Sequence, residues 1–145
     1  MARKKAARKK AAAFESAGEY FIDTTGHKRK ETHSQIHESL MQSKAFYTLK
    51  PKQQMLYIYC KAQFYGVRKP EHDYKGMPEI TSDCFYMNLA QIRKYKLYAD
   101  SDSSHFYKDM NTLIEHGLID RVSSGKGQRK KTIYRYSAKW KDYDV

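Results

Sequence analysis

Two stretches of this chain hold cations without a single acid. Residues 1–13 contain Arg3, Lys4, Lys5, Arg8, Lys9 and Lys10, and residues 121–141 contain Arg121, Lys126, Arg129, Lys130, Lys131, Arg135, Lys139 and Lys141. Ammonium and guanidinium groups gathered in this way neutralise a polyanion and release its counterions. In the second stretch Gly125 and Gly127 flank Lys126 and precede Gln128, so the main chain there can approach a phosphate backbone closely. A third set has a different character. Ser103, Ser104, Tyr107, Lys108, Asn111 and Thr112 are the positions left outward when Phe106, Met110, Leu113 and Ile114, at i, i+4, i+7 and i+8, form the inward stripe of a helix. Short polar groups, one ring and one cation on a helix suit the major groove of a duplex. There Asn can pair with adenine, Lys with guanine, and Ser or Thr with base or phosphate.

Other chemistries lack their parts. The acids are scattered singly, no serine has a recognisable His and Asp beside it, and no GxxxxGKS phosphate loop occurs, so neither catalysis nor a small-molecule substrate or cofactor is expected. His33 and His37 stand at i, i+4, but no third ligand follows at metal-binding spacing, and no metal is expected. Cys60 and Cys84 lie in apolar stretches outside any CxxC pattern and read as reduced, buried thiols. No apolar run approaches the roughly 18 residues of a membrane span, and the N-terminus lacks the apolar segment of a secretory signal. A cytoplasmic, nucleoid-associated location is expected.

The elements that must position these residues follow from periodicity. With 145 residues, 40% of them hydrophobic, the chain can build one core. The formal charge of +12 comes from the two acid-free stretches, because the remainder is close to neutral. Residues 1–13 read as a basic disordered tail and residues 14–35 as an N-terminal extension. In that extension Phe14, Tyr20, Phe21 and Ile22 can dock on the domain, and Thr24-Thr25-Gly26 makes a turn. Residues 36–145 form the domain. Ile36, Leu40 and Met41 give a brief apolar contact ending near Ser43. A helix starts at Pro51, which has no N–H to leave unpaired, and runs to Tyr65 with Leu56, Cys60 and Phe64 inward. Residues 66–83 read as a long loop.

Cys84–Met87 is a short strand that runs into Asn88, whose pairing with Gln91 predicts a capping box and a second helix over 89–98. Arg93 and Lys94 on that helix are placed to hold phosphates. Ser101 or Asp102 caps a third helix to His116, and Gly117 ends it in the left-handed region. The period then falls to two. Residues 118–122 and 132–140 form a hairpin whose connector, 123–128, is turn chemistry. Tyr57, Tyr59, Tyr134 and Tyr136 fall at core periodicity and are expected to pack.

Two capped helices joined by a tight turn and followed by a basic hairpin define a helix-turn-helix with a wing. The expected fold is α+β: a mostly helical winged helix-turn-helix with a small antiparallel sheet. The run Ser43-Lys44-Ala45-Phe46-Tyr47-Thr48-Leu49 before a Pro-led helix, then Asn88-Leu89-Ala90-Gln91-Ile92, then Phe106 through Leu113-Ile114-Glu115-His116-Gly117-Leu118-Ile119, resembles the winged helix-turn-helix proteins of bacterial mobile elements. These are the DNA-binding modules of phage and plasmid replication initiators and related regulators. The resemblance spans about residues 36–140. It implies sequence-specific binding of duplex DNA, as a transcriptional regulator or a replication initiator or accessory factor. Initiators often carry a further domain, which leaves regulator and accessory factor both open. The rival reading is an RNA or single-strand binder using the thirteen tyrosines as stacking platforms. A protein-docking module is a third, and two DNA half-sites would favour a homodimer, although no self-pairing pattern is readable.

Overall fold

The computed structural model describes residues 14–66, 70, 80–124 and 131–144, with backbone only at 65 and 66. It divides into two compact units, one ending at Glu31 and one beginning at Thr32.

In the first unit β1 (Tyr20–Ile22) pairs antiparallel with β2 (Lys28–Lys30), a hairpin that the sequence periodicity did not predict. Its turn is built around one carboxylate. Asp23 Oδ1 accepts from the Thr25 hydroxyl at 2.6 Å, the Thr25 N–H at 2.9 Å and the His27 N–H at 3.0 Å, while Oδ2 accepts from Arg29 Nε at 3.0 Å. These donors, the Thr25 hydroxyl foremost, hold the carboxyl well below the usual carboxylate range. Gly26, at φ 88°, supplies the left-handed residue that the turn requires.

The second unit is mixed α and β. It runs α1 (Glu38–Met41), α2 (Lys44–Tyr47), α3 (Pro51–Gly66), β3 (Cys84–Tyr86), α4 (Leu89–Ile92) continuing as a 3-10 turn over Arg93–Tyr95, α5 (Ser103–Glu115), β4 (Ile119–Ser123), β5 (Ile133–Tyr136) and a closing 3-10 turn, Lys139–Asp142. The three strands make one antiparallel sheet in the order β3-β5-β4. β5 is central. Tyr134 stands opposite Phe85 on one side and Arg121 on the other, and the register shifts between Arg121 and Ser123.

The core lies between this sheet and the helices. Phe106, Met110 and Leu113 of α5 are wholly buried against Leu56 and Cys60 of α3, Phe85 and Met87 around β3, and Ile92, Leu118 and Tyr134. Each such side chain contributes about 1.5–3 kcal/mol of burial, which fixes the rotation of α5 and so decides which of its residues face outward. Both cysteines are buried, and desolvation pushes the Cys60 thiol up.

Three expectations need correction. Phe64 is not on the inward stripe of α3: it is 45% exposed, and the neighbouring Gln63 is buried at 4%. The buried stripe is bounded by amides at Gln53 and Gln63, and Gln63 is satisfied by Tyr95 Oη and Tyr59 O, both at 3.0 Å. A hydrophobicity pattern cannot recognise a buried amide whose partners lie far away in sequence. The second helix does not reach Tyr98. The Asn88–Gln91 capping box forms, with Gln91 Oε1 2.9 Å from the Asn88 N–H, but Lys96 turns left-handed at φ 58°, and Leu97 and Tyr98 pack back on the core. The last strand stops at Tyr136 although its alternation continues to Trp140. The Trp140 N–H donates to Gly117 O at 2.9 Å, and this pulls the chain into the closing 3-10 turn.

Candidate nucleic-acid interface

α5 leaves a defined outer face. Ser104, Tyr107, Lys108 and Asn111 are exposed, Tyr107 at 45%, while Ser103 and Thr112 at its margins are half-buried. The Thr112 hydroxyl bonds back to Lys108 O at 3.1 Å, so it is partly occupied within the helix. At the start of α5 the Asp102 carboxylate, instead of capping the helix, engages His105 Nδ1. The other end is closed by paired bonds, Gly117 N–H to Ile114 O and Leu118 N–H to Leu113 O, both at 3.0 Å, with Gly117 at φ 78°.

The inner flank of α5 carries a polar tie that the sequence reading missed. Asp109 accepts from Gln53 Nε2 at 3.1 Å and from the Tyr98 hydroxyl at 2.6 Å, linking α5 to α3 and to the segment that leads in from α4. Burial, and then Asp109 itself, push the Tyr98 hydroxyl up, so it stays a donor. Lys52 Nζ sits 4.4 Å from the Tyr98 ring centre, which places another cation beside the junction. An Asp at the border of an apolar helix stripe, beside Met110 and one turn from Leu113, carries no signal that distinguishes a tie from a solvated carboxylate.

β4 contributes a second residue absent from the predicted reading face. Arg121 Nη2 donates to Asn111 Oδ1 at 2.6 Å. A guanidinium has only donors, so the Asn111 oxygen must face it, and the amide nitrogen and one oxygen lone pair remain for a ligand. Burial raises the Tyr134 hydroxyl, and Arg121, hydrogen-bonded to it, pulls the opposite way. Alternation along β4 puts Arg121 on the side of the buried Ile119 and opposite the buried Tyr134, so no local pattern marked it as an exposed partner of α5.

The cations of 121–141 are not all free, although that stretch contains no acid. Lys139 pairs with Asp120 at 3.0 Å and Arg135 with Asp83 at 3.6 Å, so acids from neighbouring strands do what none in the stretch itself could. Lys131 is exposed and lies 5.3 Å from the Tyr86 ring centre. Arg93 is exposed and Lys94 half-buried on the 3-10 turn, and Arg93 reaches Asp100 only at 4.0 Å. Lys126, Gln128, Arg129 and Lys130 of the predicted wing tip, and Arg3, Lys4 and Lys5 of the tail, lie outside the described residues. Among the described residues no helix is long and apolar enough to cross a membrane.

The chain matches no protein-family model, no curated protein and no solved structure.

Proposed function

We propose that residues 32–145 form a winged helix-turn-helix that binds duplex DNA sequence-specifically without an enzymatic step, and that the protein is a cytoplasmic, nucleoid-associated regulator or replication factor of a bacterial mobile element. The observation that carries this reading is α5. Phe106, Met110 and Leu113 of its apolar stripe are fully buried with Ile114 packed at their edge, and the opposite face presents Ser104, Tyr107, Lys108 and Asn111 to solvent. The order α3-β3-α4-α5-β4-β5, with β5 between β3 and β4, supports this reading, in which the second helix of a pair is offered to a groove and a hairpin stands beside it. In this reading α5 contacts base edges. Arg93 and Lys94 after α4 hold one backbone. Lys131 and the loop bearing Lys126, Gln128, Arg129 and Lys130 hold another. Arg3, Lys4 and Lys5 add phosphate contacts, and a homodimer would read two half-sites.

Titration of labelled duplex across a salt series tests the electrostatic part. Four to eight neutralised phosphates give a slope of log K against log salt of about −4 to −7, and a slope near zero removes the model. Single strands or structured RNA that displace duplex at equal charge would favour the stacking alternative.

A further inference from the structure

One face of the β1–β2 hairpin is unused by everything above. Tyr20 stands opposite Lys30 and Ile22 opposite Lys28, so these four side chains share one side of the ribbon, while Phe21 and Arg29 share the other. The same alternation assigns Glu19, Asp23 and Glu31 to the Phe21 side. There Asp23 holds Arg29, and Glu31 Oε2 accepts the Ala17 N–H at 3.0 Å. Within residues 19–31 the hairpin has therefore sorted its charges: all three acids are on one face, and the other offers two ammonium groups and no carboxylate. All four residues of that face are exposed, Tyr20 at 46% and Ile22 at 66%.

This surface is also pre-organised. Lys28 Nζ rests 4.6 Å from the Tyr20 ring centre, which restrains one ammonium, and the Asp23 hydrogen bonds fix the turn between the strands. A two-stranded ribbon has no interior to fill, so Tyr20 and Ile22 are not explained as core. In sequence the acid-free segment with Arg3, Lys4 and Lys5 ends six residues before it, with Glu15 and Glu19 between.

We propose that this face is a second nucleic-acid contact, in which Lys28 and Lys30 pair with phosphates and Tyr20 and Ile22 lie against the sugar edge of the same duplex that the second unit reads. The inference rests on the duplex-binding reading of residues 32–145. Phosphate and sugar contacts carry no sequence information, so the hairpin adds affinity, through two tethered contacts on one molecule, without altering preference.

The test is the full chain carrying Lys28→Ala and Lys30→Ala, titrated with a preferred duplex and with random duplex over a salt series. Loss of two phosphate contacts makes the slope less negative by about 1.8 and weakens both duplexes by roughly tenfold, leaving their ratio unchanged. Retention of the Thr25 and His27 amide resonances verifies that the turn is intact. An unchanged slope and affinity, in a wild-type chain that binds duplex, overturns this inference and leaves the reading of α5 standing. A changed ratio also overturns it, because the face would then be reading sequence. A wild-type chain that binds no duplex overturns both.

Discussion

The Tyr98 hydroxyl lies 2.6 Å from Asp109 Oδ2, and Gln53 donates to the other oxygen of the same carboxylate. One side chain of α5 thereby fixes both the helix beneath it and the turn before it, which sets the angle at which α5 is presented. Removing the hydroxyl with Tyr98→Phe costs about 1–2 kcal/mol, since the bond is to a charged acceptor in a half-buried setting. Asp109→Asn costs a similar amount, and the double variant costs less than the two together because they share one interaction. Urea denaturation of the three variants checks this, and additive losses would mean that the two residues act independently.

Arg121 donates to Asn111 at 2.6 Å and so couples β4 to the outer face of α5. Held by its oxygen, Asn111 offers a fixed donor and one lone pair to a base edge, the pairing that adenine accepts. Asn111→Ala and Arg121→Met are expected to relax discrimination at one and the same base pair, by roughly tenfold or more. Arg121→Lys should fail to restore it, because an ammonium lacks the planar fork. Competition with duplexes substituted one pair at a time reads this out. Equal weakening of all sequences by Arg121→Met would make Arg121 a phosphate clamp instead.

Gly117 is constrained twice. Its φ of 78° disfavours any side chain, and a Cβ there would stand 2.7 Å from Lys139 C and Trp140 N. Gly26 has a similar φ of 88° but nothing within 4 Å. Gly26→Ala should therefore cost the left-handed conformation alone, about 1–2 kcal/mol of the stability of its own hairpin. Gly117→Ala must also push apart the closing turn, for a total of about 3 kcal/mol or more from the second unit. Thermal or denaturant unfolding followed at Trp140, beside the site, separates the two. A Gly117→Ala protein as stable as the parent would contradict the close approach.

The elements around α5 were legible because each carries a local signal. Asn88 with Gln91 announces a helix start, Phe106, Met110 and Leu113 fix one face, and Gly117 ends the helix. What the sequence hid is non-local. Gln63 is buried because Tyr95 is there to receive it, the 89–98 helix breaks at Lys96 so that Tyr98 can reach Asp109, and Arg135 and Lys139 lose their freedom to Asp83 and Asp120. The β1–β2 hairpin escaped for another reason. It rests on one carboxylate, Asp23, gathering donors across a turn, with no alternation long enough to register as strands.

Selection of bound duplexes from a random-sequence pool by the full chain tests the central claim most directly. The account predicts an enriched motif, loosened at one position by Asn111→Ala and at another by Lys108→Ala, and preserved at lower overall affinity in Arg129→Ala. A pool that remains random after repeated rounds, or a motif indifferent to every substitution on α5, would contradict it.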